Sequence, residues 1–152
     1  MNNNLFKNYT YIGYFDGACE TNPKGEMGCG CVLYQDGSII DYDSFSIKES
    51  YKNSNNVAEY MALVSLLERI IDGCKNGSKV LICGDSKLVI NQMRGSWKVK
   101  GGMYVEHYKD ALSLLKEAIA NGISVTFMWV SRNENTIADE LSKKPLSKNH
   151  KL

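Results

Sequence analysis

The spacing of apolar positions divides the chain into a strand-rich first part and a mixed second part. Tyr9–Gly17 and Gly28–Gln35 are short runs rich in aromatic and aliphatic side chains, which predicts two strands. Asp36-Gly37 is a strong hairpin signal, so Ser38–Ile47 is expected to pair antiparallel with the second run. The first part is therefore predicted to be three consecutive antiparallel strands.

Helical spacing begins after residue 53 and then alternates with short apolar runs. Apolar side chains recur at helical spacing from Val57 to Ile71, behind the helix-capping sequence Ser54-Asn55-Asn56. The later elements are predicted in the order strand, helix, helix, strand and helix, at Lys79–Cys83, Asp85–Gly95, Tyr104–Asn121, Ile123–Val130 and Asn135–Lys143. This order predicts an α/β fold whose five-stranded mixed sheet has three antiparallel strands followed by two parallel ones, flanked by helices.

Length and composition fit one globular domain, because 43% of the 152 residues are hydrophobic and 23% are charged. We expect a disordered segment at residues 1–8, the folded domain at 9–145 and a basic tail at 146–152. No apolar run approaches the ~20 residues that span a bilayer, and the first residues lack the apolar stretch of a secretory signal. The protein is therefore expected in the cytoplasm as a monomer, without a membrane partner.

The cysteines and the net charge argue against two further classes of protein. Five cysteines without a CxxC pair disfavour a disulfide framework or a zinc site, and are expected to be buried, reduced thiols. A net charge of +1 argues weakly against a strongly basic nucleic-acid binder, although lysines can still cluster locally.

Four acidic residues carry the candidate chemistry, each in its own local motif. They are Asp16 in YFDGACETNPKGEMGCG, Glu59 in NSNNVAEYMAL, Asp85 in VLICGDSKLVINQMRGSW and Asp139 in ENTIADELS. Taken alone, each has a structural interpretation as a turn residue, an early-helix acid or an N-cap. Gathered at one point, the four carboxylates would need cations to neutralise them, and their hard oxygens suit Mg²⁺ or Mn²⁺.

In order and spacing these motifs resemble those of the type 1 ribonuclease H family, over nearly the whole chain from Tyr11 to Ser142. The resemblance implies the ribonuclease H-like mixed sheet and an endonuclease that hydrolyses the RNA strand of RNA–DNA hybrids, leaving 5′-phosphate and 3′-hydroxyl ends. It implies two Mg²⁺ ions, with Mn²⁺ as a possible substitute, one acting on the attacking water and one on the leaving oxygen. The catalytic and metal-binding carboxylates it implies are Asp16, bridging both ions, Glu59 and Asp85 on the leaving-group side, and Asp139 on the water side.

The resemblance also implies which residues contact the hybrid. Side-chain amides that donate and accept at once suit the wide minor groove and its 2′-hydroxyls. The implied contacts are Gly17, Cys19, Asn22, Ser54, Asn55, Asn56, Asn91, Trp97 and Arg132. Helix capping is an alternative role for Ser54 and Asn55, and a buried core indole is the alternative for Trp97. Lys87 replaces an amide common in the family and either contacts phosphate or is merely exposed.

Two departures from the family pattern affect the expected activity. A lysine-rich helical protrusion is missing, because only Lys98–Gly102 intervenes before the next helix, as in the handle-less branch of the family. With the near-neutral charge, this predicts weak, salt-sensitive substrate binding. A histidine common in the loop before the last helix is also missing. Arg132 and Glu134 stand in that loop, where the first is a candidate phosphate contact and the second a candidate auxiliary carboxylate.

Two other functions remain open from the sequence. One is a nuclease on the same fold that also cuts double-stranded RNA, which the missing protrusion permits. The other is a catalytically dead nucleic-acid-binding module, which the intact set of four acids disfavours.

Overall fold

The computed structural model describes residues 7–150 and contains one five-stranded sheet with four α-helices. The strands are β1 Tyr11–Glu20, β2 Glu26–Gln35, β3 Ser38–Ile47, β4 Lys79–Gly84 and β5 Ser124–Trp129. The helices are α1 Asn55–Gly73, α2 Lys87–Met93, α3 Val105–Ala120 and α4 Thr136–Lys143, with short 3-10 turns at Arg132–Glu134 and Ser147–His150.

The strand order is β3-β2-β1-β4-β5. β1, β2 and β3 pair antiparallel, whereas β4 pairs parallel with β1 and β5 pairs parallel with β4. Asp36 and Gly37 both have positive φ, as a two-residue hairpin turn requires. The predicted mixed sheet and its hairpin are therefore confirmed.

β1 is longer than predicted, and this matters for the site. Its pairing with β2 continues beyond Gly17 as far as Glu20, which lies opposite Glu26. The composition after Gly17 is turn-like, but an antiparallel ladder already running along β1 supplies hydrogen-bond partners for the extra residues. The extension forms one wall of the cleft described below.

Helices cover both faces of the sheet. α1 and α3 bury the larger core, which includes Phe15, Leu63 and Ile82. α4 covers the other face, where Ala138 and Ile12 belong to a second buried cluster. All five cysteines are buried and free, as predicted.

The segment between α2 and α3, residues 94–104, contains turns and bends without a helix, in agreement with the missing protrusion. None of the described helices combines the length and the apolar character that a membrane crossing requires.

The chain beyond the predicted domain boundary also packs on the sheet. Leu146 is fully buried, and the backbone N–H of Ser147 donates to Glu26. Lys148 forms an ion pair with Glu20 at 2.9 Å. Residues 1–6 of the predicted N-terminal segment and residues 151–152 of the predicted tail lie outside the described residues.

Candidate active site

The register of the sheet brings Asp16 and Asp85 together. β1 and β4 run parallel, and their pairing ends with Phe15 beside Gly84. Asp16 and Asp85 are the next residues along the two chains, so both carboxylates lie at the carboxyl end of this strand pair. β3 and β4 follow one another along the chain but lie on opposite sides of β1 in the sheet. Ligands of α/β sheets bind at such reversals of the strand order.

Glu59 reaches the same point from α1. A Cβ at Gly17 would lie 2.4 Å from the carbonyl oxygen of Ala58, so only glycine lets the helix approach β1 this closely. One carboxylate oxygen from each of Asp16, Glu59 and Asp85 lies within 4.8 Å of the other two. The local context of each acid did not require this arrangement; the packing of α1 on β1 produces it.

Asp139 approaches from the opposite face of the sheet, on the first turn of α4. Gly30 of β2 permits this, because a Cβ there would lie 2.5 Å from the backbone nitrogen of Ser142. All four predicted carboxylates line one open cleft of about 450 Å³. The structure therefore gathers the whole predicted acidic set.

Burial and crowding change the protonation of the acids. Burial, followed by the negative charges of Asp85 and Asp139, raises the pKa of Asp16 to about 7. Burial and then the charge on Asp16 raise the pKa of Glu59 well above its usual range. The Oε2 atom of Glu59 is buried and has no hydrogen-bond partner among the described residues. The protein alone therefore disfavours the charged forms of Asp16 and Glu59, which a bound cation would stabilise.

Asn135 links three parts of the site and was predicted only as the start of the last helix. Its side-chain N–H group donates to the Phe15 carbonyl and to Asp85 Oδ2, both at 3.0 Å. The backbone carbonyl of Asn135 accepts the backbone N–H of Asp139 at 3.0 Å. Because Phe15 and Asp85 are distant from Asn135 in sequence, no local pattern could have indicated these two contacts.

Lys143 is a second residue of the site that was predicted only as the end of the last helix. Its Nζ lies 3.1 Å from Asp139 Oδ2, and it lines the acidic cleft. The i,i+4 spacing of the two residues on one helix is a signal that could have indicated the pair.

Three of the predicted substrate contacts form a hydrogen-bonded chain beside the cleft. Asn55 Oδ1 accepts the backbone N–H of Cys19 at 2.8 Å, and Asn22 Oδ1 accepts the backbone N–H of Asn55 at 3.0 Å. Among the described residues, neither side-chain NH₂ group has an acceptor, so both remain available as donors. Ser54 caps α1 by accepting the N–H of Val57, which supports its alternative role.

The predicted contacts do not all line the same hollow. Gly17, Asn55, Asn56 and Arg132 line the acidic cleft itself. Trp97 lines a separate hollow and is 48% exposed, so the alternative of a buried core indole is wrong. Asn91 lies on α2 outside both, with its side chain bonded to the Lys87 carbonyl at 2.8 Å.

Known proteins match both the sequence and the fold of this chain. A family model described as RNase H matches residues 8–147. The chain belongs to the RNase H family. A bifunctional protein of Mycobacterium tuberculosis is 35% identical over 130 residues, which are 84% of this chain and 33% of that protein. The chain therefore spans about a third of the length of this relative.

Solved RNase H structures place the chain within the type 1 family. RNase H1 of the halophilic archaeon Halobacterium salinarum is 31% identical with a TM-score of 0.77, over 91% of this chain and 98% of that one. LC11-RNase H1, solved in complex with an RNA/DNA hybrid, is 30% identical with a TM-score of 0.80, over 93% of this chain and 99% of that one. The predicted membership of the type 1 ribonuclease H family is confirmed.

The donor set of this RNase H site fits hard divalent cations. The converging atoms are carboxylate oxygens, which are the ligands that Mg²⁺ and Mn²⁺ prefer. The unpartnered Oε2 of Glu59 is a buried acceptor of the kind that a bound ion satisfies.

Proposed function

We propose that this chain is an endonuclease that hydrolyses the RNA strand of RNA–DNA hybrids, leaving 5′-phosphate and 3′-hydroxyl ends. The observation that carries the proposal is the convergence of Asp16, Glu59 and Asp85 within 4.8 Å in a chain of the RNase H family. The structure of LC11-RNase H1 with an RNA/DNA hybrid, on the same fold, supports the choice of substrate.

The four carboxylates are proposed to hold two Mg²⁺ ions, or Mn²⁺ in their place. Bound there, the ions would neutralise charge at the scissile phosphate and promote attack by water. The protein's contribution is to fix the ligands. Asn135 orients Asp85, and the backbone N–H of Gly17 donates to Asp16 Oδ1 at 3.0 Å. These contacts supply the preorganisation that such a site needs.

Two cations on the rim of the cleft are proposed to contact the phosphates next to the scissile bond. Arg132 lines the cleft from the loop before α4, and Lys143 faces it from α4 while paired with Asp139. Both would offset the repulsion between the acidic site and a polyanion. The free NH₂ groups of Asn22 and Asn55 are proposed to read 2′-hydroxyls through the minor groove.

The decisive experiment is cleavage of a labelled RNA annealed to DNA, with Mg²⁺ and with EDTA, beside the same RNA alone. We expect cleavage only of the hybrid and only with the metal, and products that carry a phosphate at the new 5′ end. Cleavage of the free RNA at the same rate, or cleavage in EDTA, would contradict the proposal.

A substrate panel tests the breadth of the activity. Double-stranded RNA and a DNA duplex are run beside the hybrid in Mg²⁺ and in Mn²⁺. Double-stranded RNA cut as fast as the hybrid would replace the proposal with the broader nuclease. The proposal also includes a monomer acting in the cytoplasm, and size-exclusion chromatography of the purified protein tests the monomeric state.

A further inference from the structure

Trp129, the last residue of β5, lies beside the acidic site and has an unusually exposed side chain. Its indole N–H donates to the backbone carbonyl of Asp85 at 3.0 Å, so its polar group is used inside the protein. The side chain is nevertheless 42% exposed. Because Trp129 pairs with Gly84, the residue before Asp85, the ring is fixed at the same end of the sheet as the four carboxylates.

A lysine lies over this ring. The Nζ atom of Lys87, on the first turn of α2, is 5.0 Å from the centroid of the Trp129 ring, which is cation–π distance. None of the ion pairs found among the described residues includes Lys87. The ammonium group is therefore held by an aromatic face and not by a carboxylate.

The kind of partner matters for what Lys87 can do. A carboxylate would neutralise the ammonium charge, as Asp139 does for Lys143 at 3.1 Å. An aromatic face restricts where the ammonium group lies but keeps its positive charge, and its N–H donors stay available. Lys87 is thus an oriented cation with its charge intact, two residues from Asp85.

The surroundings determine which ligand such a cation fits. Asp16, Glu59 and Asp85 converge at the end of the sheet from which the helix of Lys87 begins, and the whole chain has a net charge of only +1. A polyanion that enters the cleft is repelled by these acids, so cations fixed at the rim decide how it binds. A compact ammonium group that presents three N–H donors suits a phosphate oxygen.

We propose that Lys87, positioned by Trp129, contacts a backbone phosphate of the bound hybrid beside the acidic site. Lys87 is the phosphate contact, and Trp129, itself held by the Asp85 carbonyl, is a positioning residue that acts through Lys87. The inference rests on the proposed function, since it names a substrate contact of the same site.

The experiment measures the affinity for a labelled hybrid by fluorescence anisotropy in EDTA, across a range of salt, for the parent and for Lys87→Gln. Removal of one phosphate contact lowers the slope of log Kd against log salt by about one. The variant should therefore bind more weakly than the parent at low salt. The ratio of its Kd to the parental Kd should fall by about threefold between about 50 and 200 mM salt. Lys87→Arg should restore most of the slope, because it keeps the charge.

Variants of Trp129 separate positioning from structure. Trp129→Leu removes the ring face and should reproduce part of the Lys87→Gln loss, whereas the double variant should be no worse than Lys87→Gln alone. A purely structural role would instead lower affinity in the double variant by the sum of both effects. Circular dichroism and thermal unfolding establish that each variant is folded.

A control lysine and the parental activity keep the outcomes distinct. Lys116 is exposed on α3, close to the end of the helix that leads into the start of β5, so it lies at the opposite end of the sheet from the acids. Lys116→Gln should leave the slope unchanged. An unchanged slope in Lys87→Gln would overturn the Lys87 contact even if the parent cleaves hybrids. Absence of hybrid cleavage by the parent in Mg²⁺ would overturn the proposed function, whereas the binding slopes in EDTA still decide the role of Lys87.

Discussion

Two adjacent residues of α1 show how differently this protein treats buried polar groups. Glu59 and Tyr60 are 8% and 0% exposed. Glu59 faces Asp16 and Asp85, and its Oε2 atom has no hydrogen-bond partner among the described residues. The hydroxyl of Tyr60 donates to Gln92 Oε1 at 2.5 Å. One side chain is buried at a cost in free energy, and the other is buried with its partner in place.

The cluster around Tyr60 is satisfied throughout. Gln92 Nε2 donates to the hydroxyl of Tyr104 at 3.1 Å and to the Lys98 carbonyl at 3.3 Å. The rings of Tyr60 and Tyr104 stack with centroids 5.7 Å apart. This tyrosine–glutamine cluster ties α1 and α2 to the segment that carries Trp97, so its role is structural. An unsatisfied buried carboxyl oxygen, like that of the neighbouring Glu59, is typical of a ligand site and is avoided in a structural cluster.

The largest effect is expected when the acidic site around Glu59 loses one of its proposed metal ligands. Asp85→Asn keeps the size of the side chain but removes the charge that a divalent ion needs, so hybrid cleavage in Mg²⁺ should fall by at least about 10³-fold with folding retained. Asp110→Asn changes an exposed acid on α3 outside the cleft and should cleave like the parent. Full activity in Asp85→Asn would remove that residue from the catalytic set.

The acidic site was also the part of the molecule that was predicted best from the sequence. The period of the apolar positions and the Asp36-Gly37 turn determine the strand pairing, and the pairing places Asp16 beside Asp85. The contacts that orient these acids were not predicted. Asn135 and Trp129 bond Asp85 across 50 and 44 residues, so their roles follow from packing and have no local pattern.

A smaller effect, on stability, is expected from the tyrosine–glutamine cluster. Gln92→Ala leaves the hydroxyl of Tyr60 buried without its acceptor and opens a cavity, so the free energy of unfolding should fall by about 3 kcal/mol. Urea unfolding followed by circular dichroism measures the change. Gln35 lies at the end of β2 and makes no side-chain hydrogen bond to any residue in the range 7–150, so Gln35→Ala should change stability by less than about 1 kcal/mol. Equal losses in the two variants would show that the cluster contributes nothing specific.

The smallest effect has the opposite sign, because removing the charge of Glu59 should stabilise the protein without metal. Burial raises the pKa of Glu59 in the folded state well above its ordinary value of 4.5. The folded protein therefore binds more protons than the unfolded chain above about pH 4.5. The free energy of unfolding therefore decreases as pH rises above that value. Glu59→Gln removes this loss and should be more stable than the parent at pH 8 in EDTA, by about 1–2 kcal/mol, with no difference near pH 4.

Thermal unfolding of Glu59→Gln and the parent across a range of pH tests whether the variant is the more stable protein. Adding Mg²⁺ provides a second test. At pH 8 the ion should raise the Tm of the parent more than that of Glu59→Gln, because only the parent has the full set of acidic ligands for it. Glu68→Gln changes an exposed acid on the same helix and should follow the parent at every pH. If Glu59→Gln were instead less stable than the parent at pH 8 in EDTA, the carboxylate would be stabilising the fold, and the contrast between Glu59 and Tyr60 would be lost.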